Sequence, residues 1–210
     1  MTERTLRRSR VIAACTVVVA GTVALVVGVR GGSTTTRTVA EQRVCTISSL
    51  SVAVVGRGAA LGHTGDTLVL RDVSAHGCTL TGYATVIASF SSPVATTTGP
   101  ISIAGPGAAV VARHTRSGYL GGVTKSNGSA TGFSLPIVSL SARTGVASAT
   151  VEWAENPSGS ATSCPTFTYL VVRLPGGLQE KQLRARGSIC GGFQVHPFVH
   201  GTTGDLTVNH

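Results

Sequence analysis

Six histidines and eight carboxylates are spread over 210 residues, so the first question is whether any of them meet at a spacing that supports chemistry. His63 has the nearest carboxylates, with Asp66 and Asp72 following it. An imidazole beside a carboxylate can move a proton or hold a metal. The same histidine can instead tie down the loop before a strand through a backbone hydrogen bond. That reading is preferred, because no nucleophile pattern accompanies the histidine. The chain contains no G-x-S-x-G elbow, no S-x-x-K and no H-E-x-x-H. His196 and His200 form a second pair by spacing. On a strand they would share a face about 13 Å apart, too far for one ion. Pro197 argues against the helix that would bring them together. No catalytic, cofactor-binding or metal-ligating residue is assigned on these grounds, and no cofactor is expected.

Four cysteines, Cys45, Cys78, Cys164 and Cys190, lie in the bulk of the chain. An even count in an exported domain points to two disulfides, and the lack of any C-x-x-C spacing disfavours a zinc ribbon or a redox motif. Three pairings are possible. Cys45–Cys78 with Cys164–Cys190 is favoured, since it joins neighbours and closes loops of moderate length. Two aromatics stand out. Trp153 alternates onto an apolar face and reads as a core plug against a disulfide, rather than as a sugar platform. Tyr119, set among glycines in Ser117–Gly122, is the candidate for an exposed contact with a partner.

The elements that would position these residues are strands. Ala147, Ala149, Val151 and Trp153 fall on one face of Val146–Trp153, with Ser148, Thr150 and Glu152 on the other. Leu50, Val52 and Val54 alternate in the same way. Further strands are expected at Thr67–Val73, Cys78–Phe90 with a bend near Gly82, Ala108–His114, Phe167–Leu174 and Phe193–Val199. Ser117–Leu135, rich in Gly, Ser and Thr, reads as a long mobile loop. Short strands between Gly, Ser and Pro, with no amphipathic helices among them, predict an antiparallel β-sandwich.

Residues Val11–Val29 are an apolar run without a charge. As a helix the run reaches about 28 Å, close to the hydrocarbon thickness of a bilayer. Arg4, Arg7, Arg8 and Arg10 precede it, so the positive-inside rule puts the N-terminus in the cytoplasm and the rest outside. The expected organisation is a basic tail over 1–10, a transmembrane anchor over 11–29, a linker over 30–43 and an extracytoplasmic domain over 44–210. A cleaved signal sequence, which would leave a secreted protein, is the alternative. Its apolar stretch is usually shorter, and no good small-residue cleavage site closes this one. Cys15 has too little apolar sequence before it for a lipobox. Beyond Arg30 twelve Lys/Arg face seven Asp/Glu without any run of like charge, a pattern that excludes a dedicated nucleic-acid binder.

Two stretches together carry a resemblance. Gly58–His63 (GAALGH) leads into Leu68–Val73 (LVLRDV) and then Cys78–Tyr83 (CTLTGY). Gly145–Trp153 (GVASATVEW), Cys164, Leu170–Gly176 (LVVRLPG) and Cys190 follow in the second half. The pattern, over about Cys45 to Val199, resembles the domain of unknown function 4232 family, exported or lipoprotein domains of actinobacteria. The resemblance implies an immunoglobulin-like sandwich in the cell envelope and the same neighbour pairing of cysteines. It implies no activity. Two departures are Ala84, where the family usually has proline, and a longer Ser91–Pro136 segment. The expected function is that of a membrane-anchored, non-catalytic module that binds an envelope protein or polymer. The alternative is an envelope hydrolase or metal-dependent enzyme using His63, or His196 and His200, with a nearby Asp.

Overall fold

The computed structural model describes residues 43–90, 109–128, 132, 134–156 and 164–209, all within one compact unit, Ala40–His210. The expected anchor at 11–29 lies outside the described residues. Among those described there is no α-helix, and no helix is long and apolar enough to cross a membrane.

The larger sheet is built around the longest alternating segments. β1 (Leu50–Ala60) and β2 (His63–Asp72) form a hairpin closed at the Ala60–His63 pair, with Leu61 and Gly62 at positive φ in its two-residue turn. β2 then pairs antiparallel with β9 (Val146–Ala154) over nine residues, from His63 opposite Ala154 to Arg71 opposite Val146. β12 (Gly191–Val195) and β13 (Val199–His200) extend along the other side of β9, and β6 (Arg113–His114) pairs parallel with β12 at the edge. The second sheet runs in the order β11 (Glu180–Ser188), β10 (Thr166–Arg173), β4 (Thr85–Ser89), β5 (Ala109–Val111). Two smaller pairs complete the fold: β3 (Cys78–Thr81) with β8 (Ile137–Leu140), and β7 (Gly122–Lys125) with β14 (Asp205–Val208).

One core serves both main sheets. Leu68 and Leu70 of β2 and Ala147, Ala149, Val151 and Trp153 of β9 pack in the same cluster as Val86, Ala88, Leu170 and Val172 from the second sheet. Trp153 is fully buried and meets Phe167 edge-on at 5.1 Å, as expected of a core plug. Such a pair adds about 0.5–1.5 kcal/mol beyond its area burial. The cysteines pair as the neighbour scheme requires: Cys45–Cys78 with Cα atoms 4.9 Å apart, and Cys164–Cys190 with Cα atoms 4.8 Å apart. The second bridge lies close to Trp153, for Cys190 N–H donates to the Ala154 carbonyl at 2.8 Å.

Several strand expectations need correction. Cys78–Phe90 is two strands in different sheets, because Gly82 takes φ +79°, a conformation that turns the chain out of its first ladder. Phe193–Val199 is likewise broken between β12 and β13, where Pro197 cannot donate to a ladder. The second strand begins at His63, not Thr67. β11 was invisible in EKQLRARGS because it is a sheet edge: its inward row is only Leu183, Ala185 and Gly187, too weak an apolar signal to register.

Candidate functional site

Polar side chains collect on the face of the larger sheet turned away from the core. Alternation along β9 sends Ser148, Thr150 and Glu152 there, and pairing sets Gly65 of β2 and Gln194 of β12 beside Glu152. His196 follows β12 on the same face, its backbone N–H donating to Thr150 O at 2.9 Å. The outer face of an antiparallel sheet ordinarily meets water. Here Ser148, Thr150, Glu152 and His196 are all buried.

The cover is a strap of two chain segments, Arg116–Lys125 and Gly201–Val208, joined by the parallel β7–β14 pair. Hydrogen bonds hold it to the sheet. Gly204 N–H donates to Ser148 Oγ at 2.9 Å, and Thr150 Oγ1 donates to Gly204 O at 3.2 Å. Gly122 N–H donates to the same Gly204 carbonyl at 2.9 Å, which ties the two segments together. The expected mobile loop Ser117–Leu135 is therefore corrected over its first part. Ser117–Lys125 is bonded down along its length, and the residues between Gly128 and Gly132 lie outside the described set.

Glu152 is the centre of this arrangement. Its Oε2 accepts Leu120 N–H at 2.9 Å, and its Oε1 accepts Tyr119 N–H at 3.3 Å and the Gln194 side-chain amide. His196 Nε2 stands 3.6 Å from Oε2. A carboxylate removed from water is costly unless its lone pairs are matched, and here they are. Burial alone would push this carboxyl up. The His196 imidazole, the Gln194 amide and the Leu120 N–H outweigh burial and hold it at about 2, so Glu152 is an anion at any physiological pH.

The strap can lie so close only because it carries glycines there. A Cβ on Gly118 would collide with the Glu152 carboxylate, and one on Gly122 would sit 2.6 Å from His196 Nδ1. Gly122 also holds φ +112°, a region that side chains avoid. Across the sheet Gly65 leaves room for Leu120, whose Cδ1 occupies the place of its missing Cβ at 2.8 Å.

Pinning Tyr119 N–H and Leu120 N–H sends the Tyr119 ring outward over β2, where it stacks on His63 with centroids 3.9 Å apart and planes at 22°. Tyr119 keeps 54% of its surface exposed. His63 is thus fixed by an aromatic neighbour, and its Nδ1 has no hydrogen-bond partner, which corrects the expected backbone tie. Asp66 and Asp72 are not brought to it. They fall on the core-facing parity of β2 with Leu68 and Leu70, opposite to His63 and Gly65. Asp72 instead accepts Ser74 N–H and Ser74 Oγ–H, each at 2.7 Å, in the turn after β2. His196 and His200 are also apart in environment: His196 is sealed under the strap and His200 is exposed on β13. Among the described residues no group of three or more His, Cys, Asp or Glu side chains could hold a metal ion. A second stack, Tyr83 on His114 at 4.5 Å, lies at the β6 edge.

Sequence reasoning placed Tyr119 as an exposed aromatic but missed what holds it. Glu152 was read only as a residue on the polar face of its strand, and Gln194 was not singled out. The available signal was the glycine pattern of Ser117–Gly122, which implies close approach to another surface without naming that surface.

Fold and site together define an all-β domain, stapled by two disulfides, that presents an aromatic loop clamped by a buried carboxylate. The chain belongs to the family described as domain of unknown function (DUF4232), whose model matches residues 45–199. No curated protein and no solved structure matches it.

Proposed function

We propose that this chain is a membrane-tethered, extracytoplasmic binding module with an immunoglobulin-like sandwich, and that the Tyr119 loop docks an envelope protein or polymer. The observation that carries the reading is the Tyr119–His63 stack, an exposed ring whose backbone is already fixed by Glu152. A contact surface ordered before binding loses little conformational freedom on binding, and Tyr offers a large contact area with few torsions. Two paired disulfides fit an oxidising compartment. The basic tail and the apolar run Val11–Val29 supply the tether and its orientation. Two sheets around a common core, with Trp153 close to the Cys164–Cys190 bridge, support the immunoglobulin-like reading. The enzyme alternative finds less support. Its most intimate acid–imidazole contact, Glu152 with His196, has no solvent-exposed surface at which a substrate could react.

The test is site-specific photo-crosslinking of the full chain in living actinobacterial cells. A photoreactive residue at position 119 is expected to give a discrete adduct, while one at Arg143, on an exposed turn, gives none. Absence of an adduct at 119, or equal adducts at both positions, overturns the loop as the docking site. A periplasm-active reporter fused after His210 is expected to be active, and a stable but silent fusion overturns the orientation.

A further inference from the structure

β1 runs from one end of the domain to the other. It starts at Leu50, a few residues after the expected linker, and ends at the Leu61–Gly62 turn, beside which Tyr119 stacks on His63. Eleven residues of strand separate the two ends, roughly 35 Å. The end at which the chain enters carries exposed apolar side chains that the core does not use.

There Val44 and the connection between β10 and β11 line an open cleft of about 640 Å³. Pro175 and Gly176 shape the connection: Leu174 O accepts Gly177 N–H at 3.1 Å, and Gly176 takes the φ of +71° that this turn needs. Leu178 follows the turn with 84% of its surface exposed. Val44 keeps 68% exposed although its neighbours are fixed. Cys45 N–H donates to Thr79 O at 3.0 Å, Thr79 N–H donates to Arg43 O at 2.8 Å, and the Cys45–Cys78 bridge locks the two segments together. Pro175 also meets Val44 and Thr81 in an adjoining hollow, and the exposed Ile137 lies cross-strand from Thr81. No described carboxylate lines either hollow. One exposed leucine is ordinary on a protein surface. Apolar side chains brought to one cleft from separate, anchored segments mark a surface that is covered in use.

We infer that this end of the domain rests on the lipid bilayer, with Leu178 and Val44 entering the boundary between headgroups and acyl chains. The inference rests on the tether reading above and adds the face that meets the lipid. Where the chain enters selects a lipid surface over another protein. Val44 is 15 residues beyond Val29, so the segment between them spans at most about 54 Å even when fully extended. The tether therefore keeps the cleft at a high effective concentration near the bilayer, and a contact of two or three side chains suffices. Apolar side chains at the interface bind in proportion to the apolar area they bury, and no carboxylate has to leave water with them. The contact also orients the domain. With this end on the membrane, the Tyr119 loop lies at the far end of β1, turned toward whatever surrounds the cell.

The test is tryptophan fluorescence of the full chain in lipid nanodiscs loaded with one chain each, with and without lipids brominated on the acyl chains just below the headgroups. Trp153 is fully buried, and the parent supplies its background. In Leu178→Trp the added emission is expected to fall at least twofold in brominated discs. In Leu61→Trp, at a similarly exposed position (87%) at the far end of β1, it falls by less than a tenth. Adding Val44→Asp to Leu178→Trp should leave the melting temperature unchanged and at least halve the quenching. Equal quenching at positions 178 and 61 would mean a domain with no preferred face and overturns the inference, as does quenching that Val44→Asp leaves intact. Emission from position 178 that shifts to the blue without quenching overturns it in favour of burial against protein. A chain that does not enter the discs defeats the tether reading and takes this inference with it, whereas one that enters with position 178 unquenched defeats this inference alone.

Discussion

Glu152 Oε2 lies 2.9 Å from Leu120 N and 3.6 Å from His196 Nε2, so one buried carboxylate bonds the strap and contacts the imidazole beneath it. A negative charge on β9, with partners on β12, at His196 just after it and in the loop itself, helps keep the strap down.

Replacing Glu152 by Gln preserves the shape and removes the charge. The amide cannot accept both backbone N–H groups and the Gln194 amide while finding acceptors for its own protons. The expected cost is about 2–4 kcal/mol of stability, the range for breaking a buried charged network. Urea denaturation measures the loss, and hydrogen exchange at Tyr119 and Leu120 should accelerate more than exchange at the core strand β9. Unchanged protection of those two amides would show that the strap is held by something else.

The depressed Glu152 carboxyl predicts an acid dependence. In the unfolded chain a glutamate titrates near pH 4.3, while in the fold it titrates at about 2. The contribution is therefore fully present above the unfolded value and disappears as pH falls through about 2, where both states are protonated. The difference in urea midpoint between the parent and Glu152→Gln should be constant from pH 7 to about 5 and shrink progressively below about 4. A difference that persists undiminished toward pH 2 would contradict the assignment.

Gly118→Ala tests the close approach without any backbone strain at the glycine. The new methyl would collide with the Glu152 carboxylate and crowd His196, so a loss of about 2 kcal/mol or more is expected. Gly191→Ala is the matched control, since its Cβ would meet nothing within 4 Å. Comparable melting temperatures for the two variants would refute the packing described for the strap.

Each disulfide spans a moderate chain separation, 33 residues for Cys45–Cys78 and 26 for Cys164–Cys190. In the chain-entropy picture each contributes on the order of 3–4 kcal/mol, a large part of a small domain's stability. Reduction of the purified protein should lower its melting temperature sharply, and each double Cys→Ser variant should account for part of the drop. Melting that is indifferent to reductant would mean that neither bridge constrains the unfolded chain.

Much of this molecule is legible in one dimension. The strict period of two in Val146–Trp153 identified the central strand and its inward row, and Gly82 marked the bend between β3 and β4. The even cysteine count and moderate spacing led to the observed pairing. Local pattern suffices there because side-chain alternation, turn conformation and loop closure are properties of neighbouring residues. The site is a different case. Ser148, Thr150 and Glu152 read only as the row opposite the apolar one, and the tertiary structure alone turns them into an interior by laying two distant segments over them. β7 and β14 are some eighty residues apart and pair parallel, so neither carries a turn signal that announces the other. Glu152 becomes a clamp, and Tyr119 a fixed aromatic surface, through partners far away along the chain. Periodicity records which face a residue takes, whereas burial depends on what is later folded onto that face.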